Sequence, residues 1–168
     1  MTYAKDTSVT SESSRAEIER TLRRYGASSF GYGWNPASAV VEFEAQGRRI
    51  RFTLPMPARD DPAFTTYKQG SRVFERVETE AVKKWEQATR QRWRALALCI
   101  KAKLEAVECG ISEFEAEFLA NIVLPDGSTV GSWVRPQIEE VYAMNRMPEL
   151  LPGEVGHGER SIVGAASS

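Results

Sequence analysis

Apolar positions recur along this chain first at helical spacing, then at every second residue, then at helical spacing again, and these changes of period delimit its elements. The opening stretch 1–13 is polar and reads as a flexible arm. Ser14 with Glu17 three residues later forms a capping box that opens a helix, whose apolar side carries Ile18, Leu22 and Tyr25 and which Gly26 ends. Arg20, Arg23 and Arg24 project from the opposite side.

The period then drops to two. Phe30, Tyr32 and Trp34 share one face of a strand, Gly31 and Gly33 leave the other face bare, and Asn35-Pro36 makes a turn. A hairpin follows with Gln46-Gly47 as its two-residue loop. That register places Glu44 opposite Arg49 and Glu42 opposite Arg51 on one face, with Phe43 opposite Ile50 and Val41 opposite Phe52 on the other. It also gives two of the three arginines Arg48, Arg49 and Arg51 a carboxylate across the strand, which weakens them as phosphate ligands. Residues 55–71, with three prolines and no sustained period, read as a long connection. Asp60 and Asp61 within it lack a third ligand and make no metal site.

Helical spacing returns over Thr79–Glu108. Ala81, Trp85, Ala88, Leu96, Cys99, Ile100 and Val107 form the stripe predicted to be buried, and Lys83, Arg90, Arg94 and Lys101 form a basic stripe on nearly the opposite side. Arg92 and Lys103 point toward the apolar side, where they must snorkel, find carboxylates or line a groove. Trp93, at the stripe edge, is predicted to join the core. Gly110 ends this helix, and Ser112 with Glu115 forms a second capping box for a short helix with Phe114, Phe118 and Leu119 on its apolar side. Pro125-Asp126-Gly127 marks a turn. Thr129 or Ser132 then starts a last helix containing Ile138, Val141 and Tyr142, with Pro136 in its first turn or at a kink. Residues 153–168 read as a disordered tail. The fold class is therefore α+β, a single domain over 14–152: an N-terminal helix, a three-stranded antiparallel sheet, a long helix and two to three shorter C-terminal helices.

Charge changes this picture more than composition does. The 168 residues carry 22 Lys plus Arg and 23 Asp plus Glu, yet residues 81–103 hold 7 basic groups and 1 acidic, and residues 104–168 hold 3 and 11. A positive stretch inside a neutral chain makes a local field that attracts phosphate or an acidic partner surface. No apolar run is long enough to span a membrane and the start is polar, so no membrane is expected and a cytoplasmic location is. Cys99 and Cys109, ten residues apart on one helix, cannot form a disulfide with each other, and the single histidine, His157, lies in the tail. Phosphate loops, dinucleotide fingerprints, zinc-protease and CxxC motifs and nucleophile elbows are all absent. The expectation is a non-enzymatic protein without cofactor or metal.

The order helix, three strands, helix resembles that of double-stranded-RNA-binding domains, but the basic motif of that family is missing and its activity is not transferred. The segments YAKDTSV, SRAEIERTLRRYGA, QRWRALALCIKAKLEAVECGISEFEAEFLANIVLPDGSTVG and RPQIEEVYAMNRMPELLP resemble a widespread group of small, uncharacterised bacteriophage and prophage proteins, over most of residues 3–152. The resemblance implies an infected bacterial host and supplies no catalytic residues. Two functions fit. One is an accessory protein binding DNA or RNA through Lys83, Arg90, Arg94 and Lys101, helped by Arg20, Arg23 and Arg24 and by stacking on Tyr32 and Trp34, unless those two rings belong to the sheet core. The other is an anti-CRISPR-like inhibitor of a host defence protein complex, whose acidic C-terminal part imitates nucleic acid or whose basic stripe docks on an acidic surface. A structural phage component is a third reading.

Overall fold

A computed structural model of the chain describes residues 3–146, with side chains from Ser11 onward. The expected tail at 153–168 and His157 lie outside the described residues. The chain divides into two compact units, Met1–Val134 and Arg135–Ser168. The first carries every strand among the described residues.

Helix α1 spans Tyr3–Arg24, so the expected arm at 1–13 is largely helical and Ser14 sits inside the helix instead of capping it. The segment contains no glycine or proline to interrupt a helix, and its serines are only mildly unfavourable there. Ile18 and Leu22 are buried, and Gly26, with φ of 81°, ends the element as its spacing predicts.

Strands β1 (Ser29–Trp34), β2 (Ser38–Ala45) and β3 (Arg48–Pro55) form an antiparallel sheet in that order. Glu42 faces Arg51, Glu44 faces Arg49, Phe43 faces Ile50 and Val41 faces Phe52, the register predicted from the alternation. Gln46 and Gly47 both have positive φ, as a two-residue hairpin turn matched to strand twist requires. Arg51 bonds Glu42 across the strands and donates a second bond to the Gly127 carbonyl at 2.6 Å. Arg48 pairs with Glu115 at 2.6 Å. Arg49, by contrast, faces Glu44 without an ion pair among the described residues.

One face of this sheet meets α1, the long helix α3 (Glu78–Glu108) and the short helix α4 (Phe114–Phe118). Phe118 is fully buried where the rings of Phe43, Phe52 and Phe114 converge, at centroid distances of 5.9, 6.3 and 4.8 Å. Two of those contacts are edge-to-face, the arrangement the ring quadrupole favours. Leu119, expected beside them, is exposed.

The buried line of α3 differs from the expected one. Ala81, Val82, Glu86, Thr89, Trp93, Leu96, Ala97, Ile100 and Leu104 are buried, whereas Trp85 is half-buried and Cys99 exposed. The helix is thus turned by roughly 70° from a phase centred on Trp85. Two polar residues, Glu86 and Thr89, occupy the buried line, and a hydrophobic count cannot see them. Trp93 is core, as expected.

The stretch 55–71 is not a bare loop. Pro62–Thr65 form a short helix, α2, which Asp61 caps by accepting from the Ala63 amide at 2.8 Å. Strands β4 (Thr66–Gln69) and β5 (Arg72–Glu75) then make a second antiparallel hairpin around Gly70. Tyr67 and Phe74 face each other in its register with rings 5.5 Å apart, a cross-strand aromatic pair that proline-rich flanks conceal in the sequence. At α4 the expected capping box is absent. The cap is Glu113, which makes no side-chain hydrogen bond there. Beyond α4, a 3₁₀ turn over Leu119–Asn121 leads into the Pro125-Asp126-Gly127 turn, where Asp126 accepts from the Ser128 amide and hydroxyl. Helix α5 runs over Val130–Met144, with Thr129 and Ser132 exchanging bonds at its start and Pro136 in its interior. No described helix is long and apolar enough to cross a membrane.

Candidate functional site

Positive charge on α3 is arranged by helical period. Lys83, Arg90, Arg94 and Lys101 lie along one line of the helix, spanning about 27 Å at 1.5 Å per residue. Lys83, Arg94 and Lys101 are exposed and Arg90 is half-exposed. Because the buried line is rotated, this stripe flanks the packed face at roughly a right angle instead of lying opposite it. Glu86, the single acid between Ala81 and Lys103, is buried and lies 4.0 Å from Arg90. The outer surface of α3 from Lys83 to Lys101 consequently presents one sign of charge. Of its three other cations, Lys84 is exposed, Arg92 bonds the Pro55 carbonyl, and Lys103 reaches the Glu117 carboxylate at 3.0 Å and carbonyl at 2.8 Å.

Beside the N-terminal half of this helix opens a cleft of about 1040 Å³. Its walls come from α1 (Glu12, Arg15), the end of β1 (Tyr32, Trp34), the segment after β3 (Pro57, Arg59) and α3 (Trp85, Glu86, Trp93). The Arg15 guanidinium lies 4.7 Å from the centroid of Tyr32 and 5.5 Å from that of Trp93, a cation held against two rings. The Trp85 indole N–H donates to the Pro57 carbonyl at 2.8 Å, which fixes that ring. Asn35 holds the rim by accepting from the amides of Ala37 and Ser38 at 2.9 and 2.8 Å. Trp34, flanked by Gly33 and this turn, is 72% exposed, and Tyr32 is 49% exposed.

Tyr32 and Trp34 therefore do not complete the sheet core; they continue its face into the cleft, opposite Val41 and Ala39. Arg20, Arg23 and Arg24 stand apart, on the later turns of α1. All three are exposed; Arg23 bonds Glu19 at 2.6 Å and Arg24 lies 5.7 Å from the Tyr25 ring. No hydrogen bond or ion pair among the described residues links them to the stripe or the cleft. Sequence reasoning missed Arg15 and Glu86. A signal existed for Arg15, which falls on the Ile18 and Leu22 face at i−3 and so had to find a partner there.

The acidic side chains of α4 are largely neutralised within the fold. Glu115 pairs with Arg48, and Glu117 is held below the usual carboxylate range by its hydrogen bonds from Lys103 and Ser112 and by the Lys103 charge. No known protein family, curated protein or solved structure matches the chain.

Proposed function

We propose that the protein is a non-enzymatic, phage-type accessory protein that binds DNA or RNA through the basic face of α3. The observation that carries this reading is the disposition of Glu86: the helix buries the one acid between Ala81 and Lys103 and leaves Lys83, Arg94 and Lys101 at the surface, in line with Arg90. Neutralised phosphates release counterions, so a run of cations along about 27 Å gains affinity from any nucleic acid without reading its sequence. The alternative, inhibition of a host defence complex by nucleic-acid mimicry, has less support. A mimic needs unpaired carboxylates, and two of those in the acidic C-terminal part, Glu115 and Glu117, are engaged with Arg48 and Lys103.

Fluorescence anisotropy with labelled single-stranded and duplex oligonucleotides tests the proposal. Binding at low salt should weaken as salt rises, with a log–log slope of about −3 to −4 for three to four phosphate contacts. Absence of binding to every nucleic acid at low salt rejects it, and capture of a host defence complex by the same face would then favour the protein partner.

A further inference from the structure

We propose that the cleft beside α3 receives unpaired bases of a single strand whose phosphates run along the basic stripe, so that the protein prefers single-stranded over duplex nucleic acid. This rests on the nucleic-acid reading above and specifies the form of the ligand.

Three of the four tryptophans of the chain, Trp34, Trp85 and Trp93, line this one cleft together with Tyr32. Burial accounts for Trp93 alone. Trp34 is largely exposed, so the core does not explain its place, while its strand and the Asn35 turn hold its backbone rigidly. An exposed indole on a held backbone and a guanidinium already stacked on rings are platforms for a flat ligand, and every base offers a flat face.

Charge narrows the ligand further. The cleft carries Arg15 and Arg59 against Glu12, Asp60 and Glu86, a mixed set that cannot hold a polyanionic backbone inside but tolerates an uncharged ring with polar edges. Its contact with the stripe is direct. Glu86 lines the cleft and lies 4.0 Å from Arg90, and Val82 of the cleft wall precedes Lys83 in the chain. A backbone on the stripe therefore has its bases at the cleft rim. In a duplex those faces are stacked inside the helix, and turning one out costs unpairing and unstacking.

The test compares an oligothymidylate of about 12 nucleotides with a duplex of the same length. Affinity is read by anisotropy and by tryptophan emission, for the wild type, Trp34→Ala, Trp34→Phe and Arg94→Gln/Lys101→Gln. The single strand should bind at least about tenfold tighter than the duplex and quench tryptophan emission. Trp34→Ala should lose about fivefold or more for the single strand, with duplex affinity and melting temperature unchanged, and Trp34→Phe should recover most of the loss. Arg94→Gln/Lys101→Gln should weaken both forms. Equal affinity for the two forms, or single-strand affinity unchanged in Trp34→Ala, overturns the cleft assignment and leaves the stripe standing. No binding of either form overturns both.

Discussion

Glu86 lies one helical turn before Arg90, with its carboxylate 4.0 Å from the guanidinium and only 7% of the residue exposed. Carboxylate followed by cation at this spacing is the favourable order on a helix. Here it also draws the only acid of a strongly basic segment inward, between the stripe and the aromatic cleft. With that residue inside, the outer face of α3 from Lys83 to Lys101 presents cations as its only charged groups.

The two tryptophans of α3 on either side of that pair differ in burial, and their substitutions should differ in cost. Trp93 is 2% exposed, and Trp93→Ala should destabilise the fold by about 3–5 kcal/mol. Trp85 is half-buried with its indole N–H on the Pro57 carbonyl, and Trp85→Ala should cost about 1–2 kcal/mol. Urea midpoints of the two variants check this order. Equal costs, or a larger cost at Trp85, would restore the phase centred on Trp85.

That phase shows what was legible in the sequence. The β2–β3 register was readable because one shift by a residue would turn Phe43 and Val41 to the solvent, so pattern and turn agree on a single answer. The basic stripe was readable because it depends only on helical spacing. The buried line of α3 was not, since tertiary packing placed Glu86 and Thr89 where a hydrophobic pattern expects apolar residues. The β4–β5 hairpin was hidden for a different reason. It is short and exposed, with only the Tyr67 and Phe74 pair to mark it. The alternation marks Tyr32 and Trp34 as candidates, but their convergence with Arg15 and Trp85 joins three distant segments and leaves no local trace.

Acid should reveal the contact between α3 and α4. The carboxyl of Glu117 titrates below its ordinary value because of its hydrogen bonds from Lys103 and Ser112, so the folded state binds this proton less readily than the unfolded one. Its stabilisation is present above the unfolded value of 4.5 and is lost as pH falls through the lower folded value. Melting temperature measured between about pH 6 and pH 3 should fall less steeply in Glu117→Gln than in the wild type. Parallel curves would show that Lys103 and Glu117 do not interact in solution.

Gly131, at the start of α5, is required by space. A Cβ there would stand 2.8 Å from the Ala120 carbonyl oxygen, a backbone atom that cannot rotate aside. Despite the higher helix propensity of alanine, Gly131→Ala should destabilise the protein by about 1–3 kcal/mol. Thermal unfolding of the variant measures this, and a raised melting temperature would contradict the packing of the α5 start against the 3₁₀ turn.

The most direct measurement of the basic face is the salt dependence of nucleic-acid affinity in Arg94→Gln/Lys101→Gln beside the wild type. Both side chains are exposed and glutamine keeps helix propensity, so the fold should be unaffected. Removing two phosphate contacts should lower the magnitude of the log–log slope by about 2 and weaken binding for all sequences alike. A folded variant with the slope and affinity of the wild type would contradict the assignment of α3 as the binding surface.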